Sequence, residues 1–352
     1  MSVLLTSARF ELLGLFWAIA LLFLGLSFLI CLGILIRRIF RNRQAKFREN
    51  QKENFQTYVV NLVRDAPEII HFRDMPECHI EDVTDIFLHY FQTLKGTKKE
   101  TLQDMISGSG LEAEIVTSTK TGTRGVRMRA VRVLSYLETQ KSLQVIFDSL
   151  NSDDKYVRLT AIRSLVKRKA VFFLDDIIES CLEAFPEDYK LLASILSDFG
   201  DEIVEPLEKI IQTSKNDILI TACLETLILL MPMQTSLNFE RLMNSSSQNV
   251  RAAALSLSAI TKHDNKVNPL LMGLRDRSTQ VKIRAAKITN NFKRADLTSE
   301  LFELSSDPVM WVRYWALRGI WVSGASGQKL VTSMTTNPMA ENVALEMRSG
   351  YV

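Results

Sequence analysis

The chain has 352 residues, a formal net charge of +3 and 47% hydrophobic residues. This composition argues against a disordered protein, and the scarcity of glycine (14) and proline (8) argues against a turn-rich all-β fold and favours long helices. The four cysteines, Cys31, Cys78, Cys181 and Cys223, form no CxxC pair, which excludes a disulfide framework and fits a reducing compartment.

An apolar stretch without a charge, Leu12–Ile36, lies near the start of the sequence. As a helix it would be about 37 Å long, more than the ~30 Å hydrocarbon core of a bilayer requires. A cleaved signal peptide is the alternative, but the run is longer than an h-region, the basic n-region is reduced to Arg9, and no A-x-A site follows. We therefore predict that residues 1–36 form a transmembrane anchor.

A basic cluster without an acid follows this stretch. By the positive-inside rule it predicts that the bulk of the chain is cytoplasmic and the N-terminus outside. The cluster is either a plain topology signal or a contact for anionic lipid headgroups. Without these charges the rest of the chain sums to −3, which argues against nucleic-acid binding. The six residues are Arg37, Arg38, Arg41, Arg43, Lys46 and Arg48.

A repeat dominates the remaining sequence. The stretch VRLTAIRSL at Val157 returns as VRAAALSLS at Val250, VKIRAAKIT at Val281 and VRYWALRGI at Val312. Each copy begins with an apolar anchor residue, and seven of the eight carry alanine at the fifth place. Because another apolar stretch precedes each copy, every unit is predicted to be two short helices. The anchors are Val126, Val157, Tyr189, Ile218, Val250, Val281, Val312 and Val343.

The pattern LxxxDxxVRxxAxxAL resembles the HEAT-repeat family of armadillo-like α-solenoids, in its short bacterial form. The resemblance implies an all-α fold, an α-solenoid of HEAT-like helix pairs, here preceded by one N-terminal transmembrane helix. It also implies a ladder in which an Asp before the second helix and a basic residue after the anchor bridge adjacent units. Leu219 occupies a basic place and should break this ladder. The basic residues are Arg127, Arg158, Lys190, Arg251, Lys282 and Arg313.

Five regions follow from these patterns, and caps are expected between the helices. Asp153, Asp307-Pro308 and Asn337-Pro338 are typical helix N-caps. The regions are an anchor (1–36), a basic juxtamembrane helix (37–66), an N-terminal helical cap (67–125), HEAT-like repeats (126–322) and a degenerate C-terminal capping repeat (323–352).

The second helices should line the inner curve of such a solenoid, and their outward places hold many apolar residues. Two interpretations stay open: tight curvature buries this strip, or the strip is a groove for an apolar or amphipathic partner segment. The candidate partner-binding residues are Arg132, Leu159, Arg163, Ile220, Leu224, Ile228, Ile283, Lys287, Tyr314, Arg318 and Trp321.

Catalytic signatures are missing from the sequence: it contains no P-loop, HExxH, GxSxG or GxGxxG. One cluster of metal-type residues occurs, but solvated acids at a helix start explain it better than a metal ion does. We therefore expect no catalytic residue, metal or cofactor. The cluster comprises Cys78, His79, Glu81, Asp82, Asp85 and His89.

These observations favour a single-pass scaffold of the bacterial inner membrane that binds a protein through a cytoplasmic solenoid. By analogy with bacterial proteins of this kind, the partner would belong to an envelope or polysaccharide assembly system. One alternative is an accessory subunit of a multi-pass membrane complex, using Gly14, Ala18, Gly25 and Gly33 as a helix interface. Another is a HEAT-like lyase-type enzyme, for which we find no acidic or histidine cluster in the strip.

Overall fold

A computed structural model describes residues 2–65, 75–262, 268–334 and 337–349, with only the backbone for residues 2–26 and 65. The described part is almost entirely helical, and its β-structure is confined to an isolated bridge between Gln234 and Lys262. The chain forms two compact units, Met1–Val145 and Ile146–Val352. The predicted all-α fold is confirmed.

The first unit begins with one long helix, α1 (Ser2–Asp65). Its C-terminal part is buried through Phe55, Val59 and Leu62, and the Phe55 ring meets that of Phe87 edge-on at 5.9 Å. The predicted anchor lies largely in the part of α1 whose side chains are outside the description. Within the described residues, none of the helices combines the length and apolarity needed to cross a bilayer.

Four further helices complete the core of the first unit. Their apolar sides pack together, with α2 contacting α5 and α4 contacting both α3 and α5. Phe91 stacks on Tyr136 at 4.6 Å. The helices are α2 (Ile80–Thr93), α3 (Thr97–Ser109), α4 (Leu111–Thr121) and α5 (Arg124–Leu134), followed by α6 (Gln140–Asp148).

The second unit repeats a pair of helices. The second helices are α7 (Lys155–Lys167), α9 (Tyr189–Ser197), α11 (Asp217–Leu230), α13 (Gln248–Ile260), α15 (Thr279–Phe292), α17 (Met310–Val322) and α19 (Pro338–Ser349). The first helices between them are α8 (Leu174–Ala184), α10 (Val204–Thr213), α12 (Phe239–Met243), α14 (Pro269–Leu274), α16 (Thr298–Leu304) and α18 (Ala325–Ser333).

Stacking of the second helices builds the core of this unit. From α7 to α19 each second helix contacts the next, and each first helix contacts the second helix of its own pair. The anchors Val157, Val250, Val281 and Val312 are at most 1% exposed. The fifth-place alanines from Ala161 to Ala316 are at most 2% exposed, so the small residues let the helices approach closely. Within the second unit, the predicted stacking of consecutive helix pairs is therefore confirmed.

The helix caps follow the prediction in one case and differ by one or two residues in two others. Asn337 caps α19, since its side-chain oxygen accepts the Met339 N–H at 3.1 Å. The cap of α7 is Asp154 rather than Asp153. Asp307 precedes α17 by three residues and accepts the Val309 N–H at 2.9 Å, so it stabilises the turn before the helix.

Candidate partner-binding surface

The predicted inner strip lies on the second helices, and much of its apolar middle is buried. Leu224 is fully buried, Ile220 is 6% exposed and Trp321 is 8% exposed. Leu159 and Ile283 are half-buried, as is Ile228. The structure thus agrees with burial for Ile220, Leu224 and Trp321, which offer a partner almost no surface.

The basic residues of the strip divide into exposed and occupied side chains. Arg132, Arg163 and Lys287 are exposed, and the Lys287 ammonium lies 4.8 Å from the centre of the Trp315 ring. Arg318 instead donates to Glu346 at 2.8 Å and contacts the Tyr314 hydroxyl at 2.9 Å.

Tyr314 is occupied in the same way. Its hydroxyl lies 2.9 Å from both carboxylate oxygens of Glu346, so Tyr314 and Arg318 together fasten α19 to α17. The two residues therefore serve the C-terminal helix pair, and a partner would have to displace Glu346 to reach them. As a partner-binding surface, the exposed remainder of the strip stays a prediction.

A cross-link that sequence reasoning missed spans three second helices. The Arg284 guanidinium on α15 donates to Glu225 on α11 at 3.4 Å and, on α13, to the Ala252 carbonyl and the Ser256 hydroxyl at 3.3 and 3.2 Å. The sequence does show that the charged residue Arg284 directly precedes the core residue Ala285. Pattern reasoning assigns such a charge to solvent, because the spacing within one helix does not show which neighbours lie alongside it.

Two ion pairs between adjacent units match the ladder that the resemblance implies, whereas Arg313 donates to the carbonyls of Asp307 and Pro308 in the turn before its own helix. Arg251 binds Asp276 through two hydrogen bonds of 2.7 and 2.9 Å, and Lys282 forms an ion pair with Asp307. Arg158 pairs instead with Glu183 at 2.8 Å, an acid that the pattern did not indicate.

The predicted membrane-surface residues lie on the exposed part of α1. All six are exposed, but Arg48 donates to Asp82 at 2.6 Å and to Glu81 at 3.0 Å. The hydrogen bond that Arg48 donates to Asp82, followed by the one it donates to Glu81, raises the pKa of the Arg48 guanidinium above its ordinary value. Arg48 therefore belongs to the packing of α1 on α2, which leaves Arg37, Arg38, Arg41, Arg43 and Lys46 for a membrane surface.

The metal-type cluster has another explanation in the structure. Glu81 and Asp82 hold Arg48, and Asp85 pairs with Arg129 at 3.2 Å. Across the described residues, no group of three His, Cys, Asp or Glu side chains has metal-binding geometry. Burial raises the pKa of the Cys181 thiol to about 11 and that of Cys223 to about 12, so both stay protonated at neutral pH.

A second surface, which we name the α8–α10 groove, was not predicted. It is an open depression of about 880 Å³ that adjoins one of about 470 Å³, and Asp175 and Ile210 line both. Its charge could have been read from the sequence, since residues 171–213 contain eleven acids and two lysines, a net charge of −9. Its lining includes Phe172, Asp175, Ile178, Glu179, Leu182, Glu202, Glu205, Lys209 and Ile210.

Comparison with known proteins finds similarity in the fold alone. No known protein family matches the sequence, and no curated protein matches it. The structure is similar to karyopherin Kap121p bound to Pho4p, with 13% identity, a TM-score of 0.42 and coverage of 82% of this chain and 38% of that one. For Kap121p bound to the SUMO protease Ulp1p the identity is 13%, the TM-score 0.38 and the coverage 74% and 34%.

A further similarity is to the CpcE–CpcF complex of phycocyanin lyase from Nostoc sp. PCC7120. The identity is 15% and the TM-score 0.21, with coverage of 80% of this chain and 98% of that one. The chain spans little more than a third of the length of Kap121p. Identities and TM-scores this low give no information about what this chain binds.

Proposed function

We propose that this chain is a membrane-anchored scaffold whose helix-pair repeats bind a protein partner on the cytoplasmic side. The observation that carries the proposal is the exposure of large apolar side chains on α1, ahead of the part that packs in the first unit. Phe28 is 65% exposed, Ile34 60% and Phe40 62%. Exposed apolar surface of this extent favours contact with lipid or with another protein.

The uncharged run Leu12–Ile36 supports lipid as the neighbour of this surface, because its apolar residues point in every direction around a helix. The basic residues that follow it support an orientation with the repeats in the cytoplasm of a bacterial cell. A tether of this kind raises the concentration of a bound protein at the membrane. An envelope or polysaccharide assembly system is the process that we propose for it, by analogy alone.

Stacked helix pairs support the binding role, since a solenoid presents an extended surface rather than an enclosed cavity. The exposed cations Arg163 and Lys287 are the strip residues most available to a partner. We propose no catalytic activity for the chain.

Membrane fractionation tests the anchor. The full chain should stay in the membrane pellet after an alkaline wash, and a variant without residues 12–36 should move to the supernatant. Phe47→Lys is the matched control, because it adds a charge to α1 outside the uncharged run and should leave the protein in the pellet. A deletion variant that remains folded and still sediments with membranes would reject the anchor.

Cross-linking in intact membranes, followed by affinity capture, tests the strip. Arg163→Glu with Lys287→Glu should reduce recovery of a bound protein at least about tenfold. Lys329→Glu, an exposed charge on α18, should not. Equal recovery with the unmodified chain, the double variant and Lys329→Glu would reject the strip as the binding surface.

An accessory subunit of a multi-pass complex is the second candidate. Gly33 is exposed, and a Cβ added there would meet no described atom within 4 Å, which leaves room for another helix. Gly14, Ala18 and Gly25 lie where side chains are not described. Loss of all partners on deleting residues 12–36, with no effect of the strip variants, would favour this role.

A further inference from the structure

We propose that the α8–α10 groove binds a short basic segment of a protein partner, in which apolar side chains alternate with Lys or Arg. The inference rests on the proposed scaffold function and gives it a second surface with a stated partner chemistry. It follows from an apolar floor and from four rim carboxylates that form no ion pair within the described residues, with Lys209 as the single basic residue among those that line the groove.

The floor of the groove is apolar and partly open. Phe172 is 72% exposed, although the ring of its neighbour Phe173 lies only 4.2 Å away. Leu182 and Ile210 are half-buried along the two helices. An aromatic ring at one end and aliphatic side chains beyond it provide sites for apolar side chains of a bound segment.

The rim carries four exposed carboxylates, Asp175, Glu179, Glu202 and Glu205. None of them takes part in a side-chain hydrogen bond or an ion pair with another residue in the part of the chain that the structure describes.

Two nearby acids behave differently. Glu183 is held by Arg158 at 2.8 Å, and Glu208 accepts hydrogen bonds from Thr235 and Ser236. The fold therefore uses some of its acids in this region for internal contacts and leaves the four rim carboxylates to solvent.

Clustered like charges repel one another and destabilise the compact state, and a cationic partner removes that repulsion. The same field repels phosphates, so nucleic acid and anionic lipid headgroups are excluded as occupants. The helix α8 has 11 residues, a length of about 16 Å, which matches about five residues of an extended segment. A basic peptide with alternating apolar side chains satisfies both the rim and the floor.

Fluorescence anisotropy with the full chain in neutral detergent tests this inference. The probe is a labelled eight-residue peptide that alternates Lys and Val, and the negative control alternates Glu and Val. The groove variant combines Glu179→Lys, Glu202→Lys and Glu205→Lys. The matched variant makes the same change in charge elsewhere, at Glu240, Glu303 and Glu341, which are exposed on α12, α16 and α19.

We expect the Lys–Val peptide to bind the unmodified chain and to lose affinity at least about tenfold with the groove variant and at most about twofold with the matched variant. Phe172→Ser should weaken binding several-fold without changing the charge. Equal losses in the two charge variants, or binding of the Glu–Val peptide, would overturn the proposal. Circular dichroism shows whether each variant is folded, and Phe172→Ser supplies the test if the groove variant is not.

A second copy of the chain is the competing occupant, because its own stretch Arg37–Arg48 is basic and contains Ile39, Phe40 and Phe47. Light scattering of the full chain distinguishes the two. A dimer that dissociates in the groove variant would overturn the proposal of a different protein partner. If the peptide does not bind while the fractionation and capture experiments succeed, only the groove assignment fails and the scaffold function stands.

Discussion

The guanidinium of Arg251 on α13 donates two hydrogen bonds, of 2.7 and 2.9 Å, to the carboxylate of Asp276, which lies just before α15. The side chains of Arg251 and Asp276 are only 4% and 7% exposed. The same guanidinium donates to the carbonyls of Ser245 and Ser246 at 2.8 and 3.0 Å. One side chain thus joins the turn of its own unit to the turn of the next.

Removing Arg251 should destabilise the protein strongly. Arg251→Met leaves the buried Asp276 carboxylate without its ion-pair partner, and we expect a loss of about 3–5 kcal/mol in the free energy of unfolding. Arg294→Met is the control, because its pair with Asp296 is exposed and contributes at most about 1 kcal/mol. Urea unfolding followed by circular dichroism measures both, and similar losses would contradict the importance of burial.

The same pair predicts a loss of stability in acid. Burial opposes ionisation of Asp276, but the hydrogen bonds from Arg251 and from the Ser278 N–H outweigh it and lower the pKa of the carboxyl. Since the unfolded chain has the higher pKa, near 3.9, this contribution is complete above that pH and disappears as the pH falls through the lower pKa of the folded state.

Asp276→Asn removes the titrating group. We therefore expect its unfolding free energy to fall less steeply with pH than that of the unmodified chain below about pH 4. Chemical unfolding at a series of pH values provides the measurement. Parallel curves for the two proteins would show that Asp276 does not carry this dependence.

The absent step of the ladder can be built. Asp276 and Asp307 lie five residues before the anchors Val281 and Val312, and Ser245 holds the equivalent place before Val250. Ser245 already accepts the Ser247 N–H at 3.1 Å, as Asp276 accepts that of Ser278 at 2.7 Å.

Combining Leu219→Arg with Ser245→Asp should therefore create an ion pair. In a double-mutant cycle we expect a favourable coupling free energy of about 1 kcal/mol from thermal or urea unfolding. A coupling of zero would mean that the turns of α10–α11 and α12–α13 are spaced differently from those that follow.

Close helix approach at Ala285 gives a prediction about packing. Ala285 is fully buried, and a Cβ added to Gly273 on α14 would lie only 3.1 Å from the Ala285 Cβ. Ala285→Leu should lower the free energy of unfolding by about 1–3 kcal/mol, because the added atoms have no space. The exposed Ala325 is the control, and Ala325→Leu should change it by less than about 0.5 kcal/mol.

The repeat made the core of the second unit predictable. An alanine at a fixed place in each copy, such as Ala254 or Ala285, needs a close neighbour in every unit, and the structure supplies one. The burial of Leu224 could not be predicted in this way. The spacing within a helix distinguishes the faces of that helix but does not show how many neighbouring helices cover each face. The sequence LETLILL in α11 was a sign that the helix is apolar on several sides and hence covered on several sides.

Residue pairs distant in sequence were also beyond pattern reasoning. The helical spacing places Tyr314 and Arg318 on the outward side of α17, but their partner Glu346 lies 32 and 28 residues further along the chain. Because that distance is one repeat, an outward residue in one unit can face the next unit instead of solvent. The outward residues of α17 are covered in this way by α19.

Glu346 should therefore control whether the last helix stays docked. Its carboxylate accepts hydrogen bonds from the half-buried Tyr314 hydroxyl and from Arg318, whose side chain is 11% exposed. Glu346→Ala removes the carboxylate that accepts both hydrogen bonds. We therefore expect hydrogen exchange in α19 to accelerate by about tenfold to a hundredfold, the equivalent of about 1.5–3 kcal/mol. Glu341→Ala, on an exposed face of the same helix, is the control and should leave exchange unchanged. Protection that is lost equally in α13 would instead indicate unfolding of the whole unit, and the contact at Glu346 would not be specific to α19.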